Sequence, residues 1–206
     1  MMIASKAARL ATSAALAALI STTVVLAGCT ASPPESTTVD PVAPTASLST
    51  PPSTSPEPLE SDVAADAETE LRAQLLYLIE EEKLAHDVYT VLGDTWGGNV
   101  FVNIAASETT HQEAVAALLP DYGLTDPRVN EVGLFQDASL QTLYDQLIAE
   151  GMRSRDDAID VGVLIEQTDI ADLTEALDDA PDDVAVVLER LLAGSQNHLA
   201  AFERQA

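Results

Sequence analysis

Apolar residues recur at three- and four-residue steps along four long stretches of the chain, the period of a helix that buries one face. The first stretch runs from about Asp66 to Leu92 and carries Leu71, Leu75, Leu78, Glu82, Ala85 and Tyr89, with Gly93 and Trp96-Gly97-Gly98 marking its end. The second runs from about Val100 to Leu119 with Phe101, Ile104, Glu108, His111, Val115 and Leu118, and Pro120 stops it. The third, from Ser154 to Leu177, carries Ile159, Gly162, Glu166, Asp169 and Leu173; Ser154 followed by Asp157 reads as a capping arrangement. The fourth begins at Pro181, a residue suited to a first helical position, and carries Val184, Leu188, Leu191, Ser195, His198 and Phe202. Between the second and third lies a shorter helix from Ser139 to Glu150, with Leu140, Leu143, Tyr144 and Leu147 on its stripe and Gly151 as its expected C-cap. No window alternates as a strand would. The pattern predicts an all-α domain over residues 67–206: a four-helix bundle with a long crossover, containing a short extra helix, between its second and third helices.

Polar residues interrupt all four stripes. Glu82 lies on the first, Glu108 and His111 on the second, Glu166 and Asp169 on the third, and Ser195 and His198 on the fourth. Glu108 and His111 are three residues apart, so they share a helix face and both can reach one metal ion. An ionisable group inside an apolar stripe is costly unless it is paired or ligated. On each stripe about two to three turns of apolar residues precede the ligand types and apolar residues follow them, so helices alternating up and down could bring them to one level. Carboxylates and imidazoles together suit iron, manganese or zinc. Unneutralised, several buried carboxylates would repel one another. Of the remaining candidates, Tyr89 is placed either to hydrogen-bond a ligand carboxylate or simply to pack. Glu80, Glu81, Glu113 and Glu175 read as solvated, His86 as a helix-edge residue, and Trp96 as packing for its loop.

The N-terminal part differs. Lys6 and Arg9 precede an apolar run to Leu26, and Leu26-Ala27-Gly28-Cys29 resembles a bacterial lipobox. Residues 1–29 are therefore expected to be a lipoprotein signal peptide, with Cys29 lipidated. Cys29 is the only cysteine, so no disulfide can form within the chain. Residues 30–66 hold eight of the eleven prolines among many Ser and Thr, and read as a disordered tether. Nine basic residues stand against 34 acidic ones, for a net charge of -25. Such a chain should be repelled by nucleic acid and by anionic lipid, which leaves the N-terminal anchor as its expected membrane contact.

The order Glu, Glu-x-x-His, Glu, x-x-x-His resembles the carboxylate-bridged di-iron proteins of the ferritin-like superfamily. Glu82-Lys83-Leu84-Ala85, with Tyr89 seven residues after the Glu, is similar to the first helix of rubrerythrin-type proteins. Over about Leu71 to Phe202 the chain more closely resembles the prokaryotic family labelled domain of unknown function 2202. That likeness rests on residues 80–85, Trp96-Gly97, Asn103-Ile104-Ala105, Ser107-Glu108 with His111, and Gly194-Ser195 with Asn197-His198-Leu199. The resemblance implies a ferritin-like fold and a metal site of Glu82, Glu108, His111, Glu166 and His198. Ser195 stands where the superfamily usually has a second Glu. Asp169, one turn beyond Glu166, is the acid that could replace it.

Three functions are compatible with these residues: an exported dimetal oxidoreductase acting on iron, dioxygen or peroxide; a metal-holding module without turnover; and a structural helical bundle with a polar core network.

Overall fold

Gly97 and Gly98, with φ of 70° and 103°, turn the chain back on itself between the first two of five helices. In the computed structural model, which describes residues 60–205, these are α1 Glu60–Trp96, α2 Asn99–Leu118, α3 Ala138–Gly151, α4 Arg155–Leu177 and α5 Asp182–Glu203. The described residues are helical or in turns and contain no strand. No helix among them is long and apolar enough to cross a membrane. The expected signal peptide, Cys29 and most of the tether lie outside the described residues.

The helix ends differ from expectation in three places. The first helix begins at Glu60, earlier than the polar composition of 60–66 suggests. Gly151 is the last residue of α3, and Met152 takes the C-cap with right-handed helical angles. Pro181 sits just before α5 with ψ of 153°, in the N-cap position. Ser154 caps α4 as expected, its Oγ accepting from the backbone N–H of Asp157 at 3.0 Å.

The first helix packs on α2 and α4, and α5 packs on the same two, so the long helices form a ring with α2 and α4 diagonal. Neighbours run antiparallel: α1 meets α4 in reverse order, Tyr89 bonding Glu166 while the earlier Glu81 lies beside the later Asp169 and Asp172, and Ser107 of α2 meets His198 near the end of α5. It follows that α2 and α4 point the same way, and the 119–154 connection must travel the length of the bundle. On its way α3 covers part of α1 and α4.

Buried polar side chains of α1 hold this connection. The carboxylate of Glu80 accepts from the backbone N–H groups of Gln136 at 2.7 Å and Asp137 at 2.9 Å. Lys83 donates to the carbonyls of Glu131 and Leu134, pairs with Asp87, and stands over the Phe135 ring. Asp87 also accepts from the backbone N–H of Gly133 at 2.9 Å. Glu80 and Glu81, expected to be solvated, are thus both buried. The cause is that α1 is covered by α2, α3 and α4 together, and every residue from Leu78 to Ala85 is inside. Glu113 and Glu175 are exposed, as expected.

The core has two apolar halves. One gathers Tyr89, Phe101 and Phe202, whose ring centroids lie 5.1–6.4 Å apart, with Leu84, Val88, Leu92 and Ile159. The other gathers Leu75, Ile79, Val115, Leu173, Leu188 and Leu191. The polar stripe residues form a layer between them.

Candidate metal centre

Each inward stripe delivers its polar residues to this layer, and all seven are buried: Glu82, Glu108, His111, Glu166, Asp169, Ser195 and His198. Glu108 is the hub. Its Oε2 lies 2.8 Å from Nδ1 of His111, one helical turn on, and its Oε1 lies 2.9 Å from Nδ1 of His198 on α5. Nδ1 of His111 is also 3.2 Å from Oε2 of Glu82, and Nδ1 of His198 is 3.5 Å from Oε2 of Glu166. The two imidazoles stack with centroids 5.3 Å apart. Glu108, His111 and His198 each offer a ligand atom within 4.8 Å of the others.

The surrounding bonds orient these groups. Tyr89 donates to Oε1 of Glu166 at 2.7 Å, so of its two readings it takes the hydrogen bond to a buried carboxylate, and it packs in the aromatic cluster as well. Nε2 of His198 lies 2.9 Å from Oγ of Ser107, so an N–H donated there leaves Nδ1 facing the carboxylates. Ser195 donates to the carbonyl of Leu191 at 3.0 Å and stands beside Asp169. Gly194 leaves room for the His111 ring: a Cβ there would stand 2.4 Å from Nε2. His86, half-exposed, hydrogen-bonds Asp87 and stays out of the layer.

The electrostatics are those of acids forced together. Burial by itself would raise the Glu108 carboxyl, but the close imidazoles of His111 and His198 outweigh it and hold it at about 2. Burial would likewise lower both imidazoles; Glu108 and Glu82 instead lift His111 to about 10, and Glu108 and Glu166 lift His198 to about 9. The other acids go up. Burial is the main cause for Glu82 and for Asp169, which reaches about 7 as Glu166 and Glu108 add repulsion. Burial, with repulsion from Glu108, also raises Glu166.

Three observations fit this donor set to a cation. Oε1 of Glu82 and Oδ1 of Asp169 are buried without a hydrogen-bond partner, against the rule that buried polar atoms are satisfied. Nδ1 of His198, although near Glu108, has no contact with hydrogen-bond geometry. A cavity of about 20 Å³, large enough for one water-sized particle, is lined by Glu82, Glu108, Glu166 and Asp169. A divalent ion answers all three, because it needs the lone pairs that no proton donor meets.

The sequence reading missed two residues of this region. Ser107 lies beside the stripe and gave no signal beyond its place in the motif. Glu81, on the same cavity wall, adjoins Glu82 and so falls off the stripe; neighbouring residues do not share a helix face. Only the packing of α4 against that side of α1 buries it.

The uncharacterized protein MJ0754 of Methanocaldococcus jannaschii is 43% identical over 132 residues, covering 63% of this chain and 71% of the relative. The crystal structure of hypothetical protein MJ0754 from Methanococcus jannaschii DSM 2661 superposes with a TM-score of 0.64 at 37% identity, covering 78% of this chain and 85% of that one. Residues 71–206 match the uncharacterized protein domain DUF2202, and the chain belongs to that family.

Proposed function

We propose that this protein is an exported, ferritin-like metalloprotein, tethered to a membrane through Cys29, whose bundle holds one or two transition-metal ions for oxidoreductase chemistry. Glu108, His111 and His198 hold the first ion, with Glu82 and Glu166 at its flanks. Asp169, on the wall of the adjoining cavity, would serve a second ion. Mixed nitrogen and carboxylate donors favour iron, with manganese or zinc as alternatives. Iron in such a site supplies electron transfer to dioxygen or peroxide. The chain's own residues provide the setting: Tyr89 fixes Glu166, Ser107 fixes His198, and the two apolar clusters exclude water.

The observation that carries this reading is the buried Glu108–His111–His198 group with unsatisfied acceptors beside it. Elemental analysis of the purified full chain and of a Glu108→Ala/His111→Ala variant tests it. The native chain should retain metal and the variant should lose it; equal content would remove the reading. For the redox part, iron-loaded protein should change its spectrum on exposure to dioxygen or peroxide.

Ser195 favours a second reading, metal holding without turnover. Its hydroxyl donates to its own helix, and a serine gives that position no carboxylate for a second ion. In that case zinc binds as well as iron and the iron-loaded spectrum stays constant.

A further inference from the structure

The centre is closed off by two apolar clusters, yet an ion must reach it. Between α1 and α4 lies a groove of about 220 Å³. Its floor is apolar, with Leu71, Leu78, Leu173 and Ala176, and acids stand around it: Glu70, Glu81, Asp172, Glu175, Asp178 and Asp179. No Lys, Arg or His lines it. Glu81 is the residue common to this groove and to the 20 Å³ cavity at the centre. Its carboxyl is buried beside Asp169, Asp172 and Glu82. Beyond it, the cavity presents the unpartnered Oε1 of Glu82 and Oδ1 of Asp169, both buried. On the α2–α5 side, the neutral hydroxyl of Ser107 is engaged by His198.

We propose that the α1–α4 groove is the route by which a hydrated divalent cation reaches the buried centre, with Glu81 as the transit carboxylate that passes it from the groove acids to Glu82 and Asp169. This rests on the metal-centre reading above. A concave acidic lining over apolar walls concentrates cations and raises their rate of capture. A carboxylate at the neck replaces water oxygens as the hydration shell is shed, so the ion is never left without oxygen ligands. Glu81 acts on the rate of filling, whereas Glu108, His111 and His198 set the affinity.

The test is stopped-flow loading of the metal-free full chain with Co²⁺, read by its absorption in a nitrogen–oxygen site, together with final occupancy. Glu81→Gln should load about tenfold more slowly and reach the wild-type occupancy. Glu70→Gln/Asp178→Asn, at a half-buried and an exposed position that carry no folding risk comparable to the buried Glu81, should load several-fold more slowly and lose part of the salt dependence seen in wild type. Asp156→Asn/Asp160→Asn, which removes the same charge from the exposed face of α4 outside the groove, should load as wild type. Wild-type rates in both groove variants would overturn the route while leaving the centre intact. Lost occupancy in Glu81→Gln with an unchanged rate in the double groove variant would also overturn it, making Glu81 a ligand. Failure of wild type to take up Co²⁺ at all would instead remove the centre itself, and the route with it.

Discussion

Gly194 on α5 faces the Nε2 edge of His111 on α2 so closely that a Cβ would stand 2.4 Å away. The contact makes a glycine, poor in a helix interior, the residue that lets α5 approach and bring His198 to Glu108. Replacing it with alanine must push the imidazole off Nδ1 contact with Glu108 and Glu82. Gly194→Ala should destabilise the fold by about 1–3 kcal/mol through overpacking, and should weaken metal binding. Thermal unfolding and Co²⁺ titration check this; an alanine variant with native affinity would show that the ring is free to move.

Tyr89 and Glu166 form the one hydrogen bond from the aromatic cluster into the polar layer. Tyr89→Phe leaves Oε1 of Glu166 buried without its donor, which should cost the metal-free protein about 1–3 kcal/mol. Metal should recover part of that loss, because an ion satisfies the same oxygen. A loss of equal size with and without metal would place Glu166 outside the ligand set.

The metal-free protein should become less stable as pH rises from about 5 to 10. His111 and His198 bind protons more tightly folded, at about 10 and about 9, than in an unfolded chain at ~6.5. Their contribution is complete below ~6.5 and disappears as pH climbs through the folded values. Asp169, at about 7 against ~3.9 unfolded, has the same sign and weakens the fold between ~4 and 7. Glu108 has the opposite sign, since its lowered value adds stability above ~4.3 that is lost only toward pH 2. Metal must displace the imidazole protons, so its stabilising effect should grow over the range in which the metal-free fold weakens. Tm against pH, with and without Zn²⁺, measures both slopes.

Glu80 fixes the crossover through two backbone N–H groups. Glu80→Ala should cost about 1–3 kcal/mol and loosen the segment before α3. Hydrogen exchange should speed up at the amides of Gln136 and Asp137 and stay unchanged in α5, whereas a uniform increase would mean global destabilisation.

The stripes on α2, α4 and α5 were legible in the sequence because each of those helices turns a single face inward. Phe101 to Leu118, Ile159 to Leu173 and Val184 to Phe202 are buried at the positions their spacing predicts. On α1 the same reading falls short. That helix is covered on three sides, so Glu80, Glu81, Lys83 and Asp87 are buried although they lie off the stripe.

The chain's periodicity thus determined by itself that it folds into helices and which side chains turn inward, since both follow from the 3.6-residue turn and the exclusion of apolar surface from water. Local spacing also determined that Glu108 and His111 share a face. The tertiary structure alone decided that four helices bring their polar residues to one level, that Gly194 opens space for His111, and that Glu81 joins an outer groove to the inner cavity. Those relations depend on the depth and rotation of each helix against its neighbours, and such quantities are fixed by side-chain packing between segments far apart in the chain.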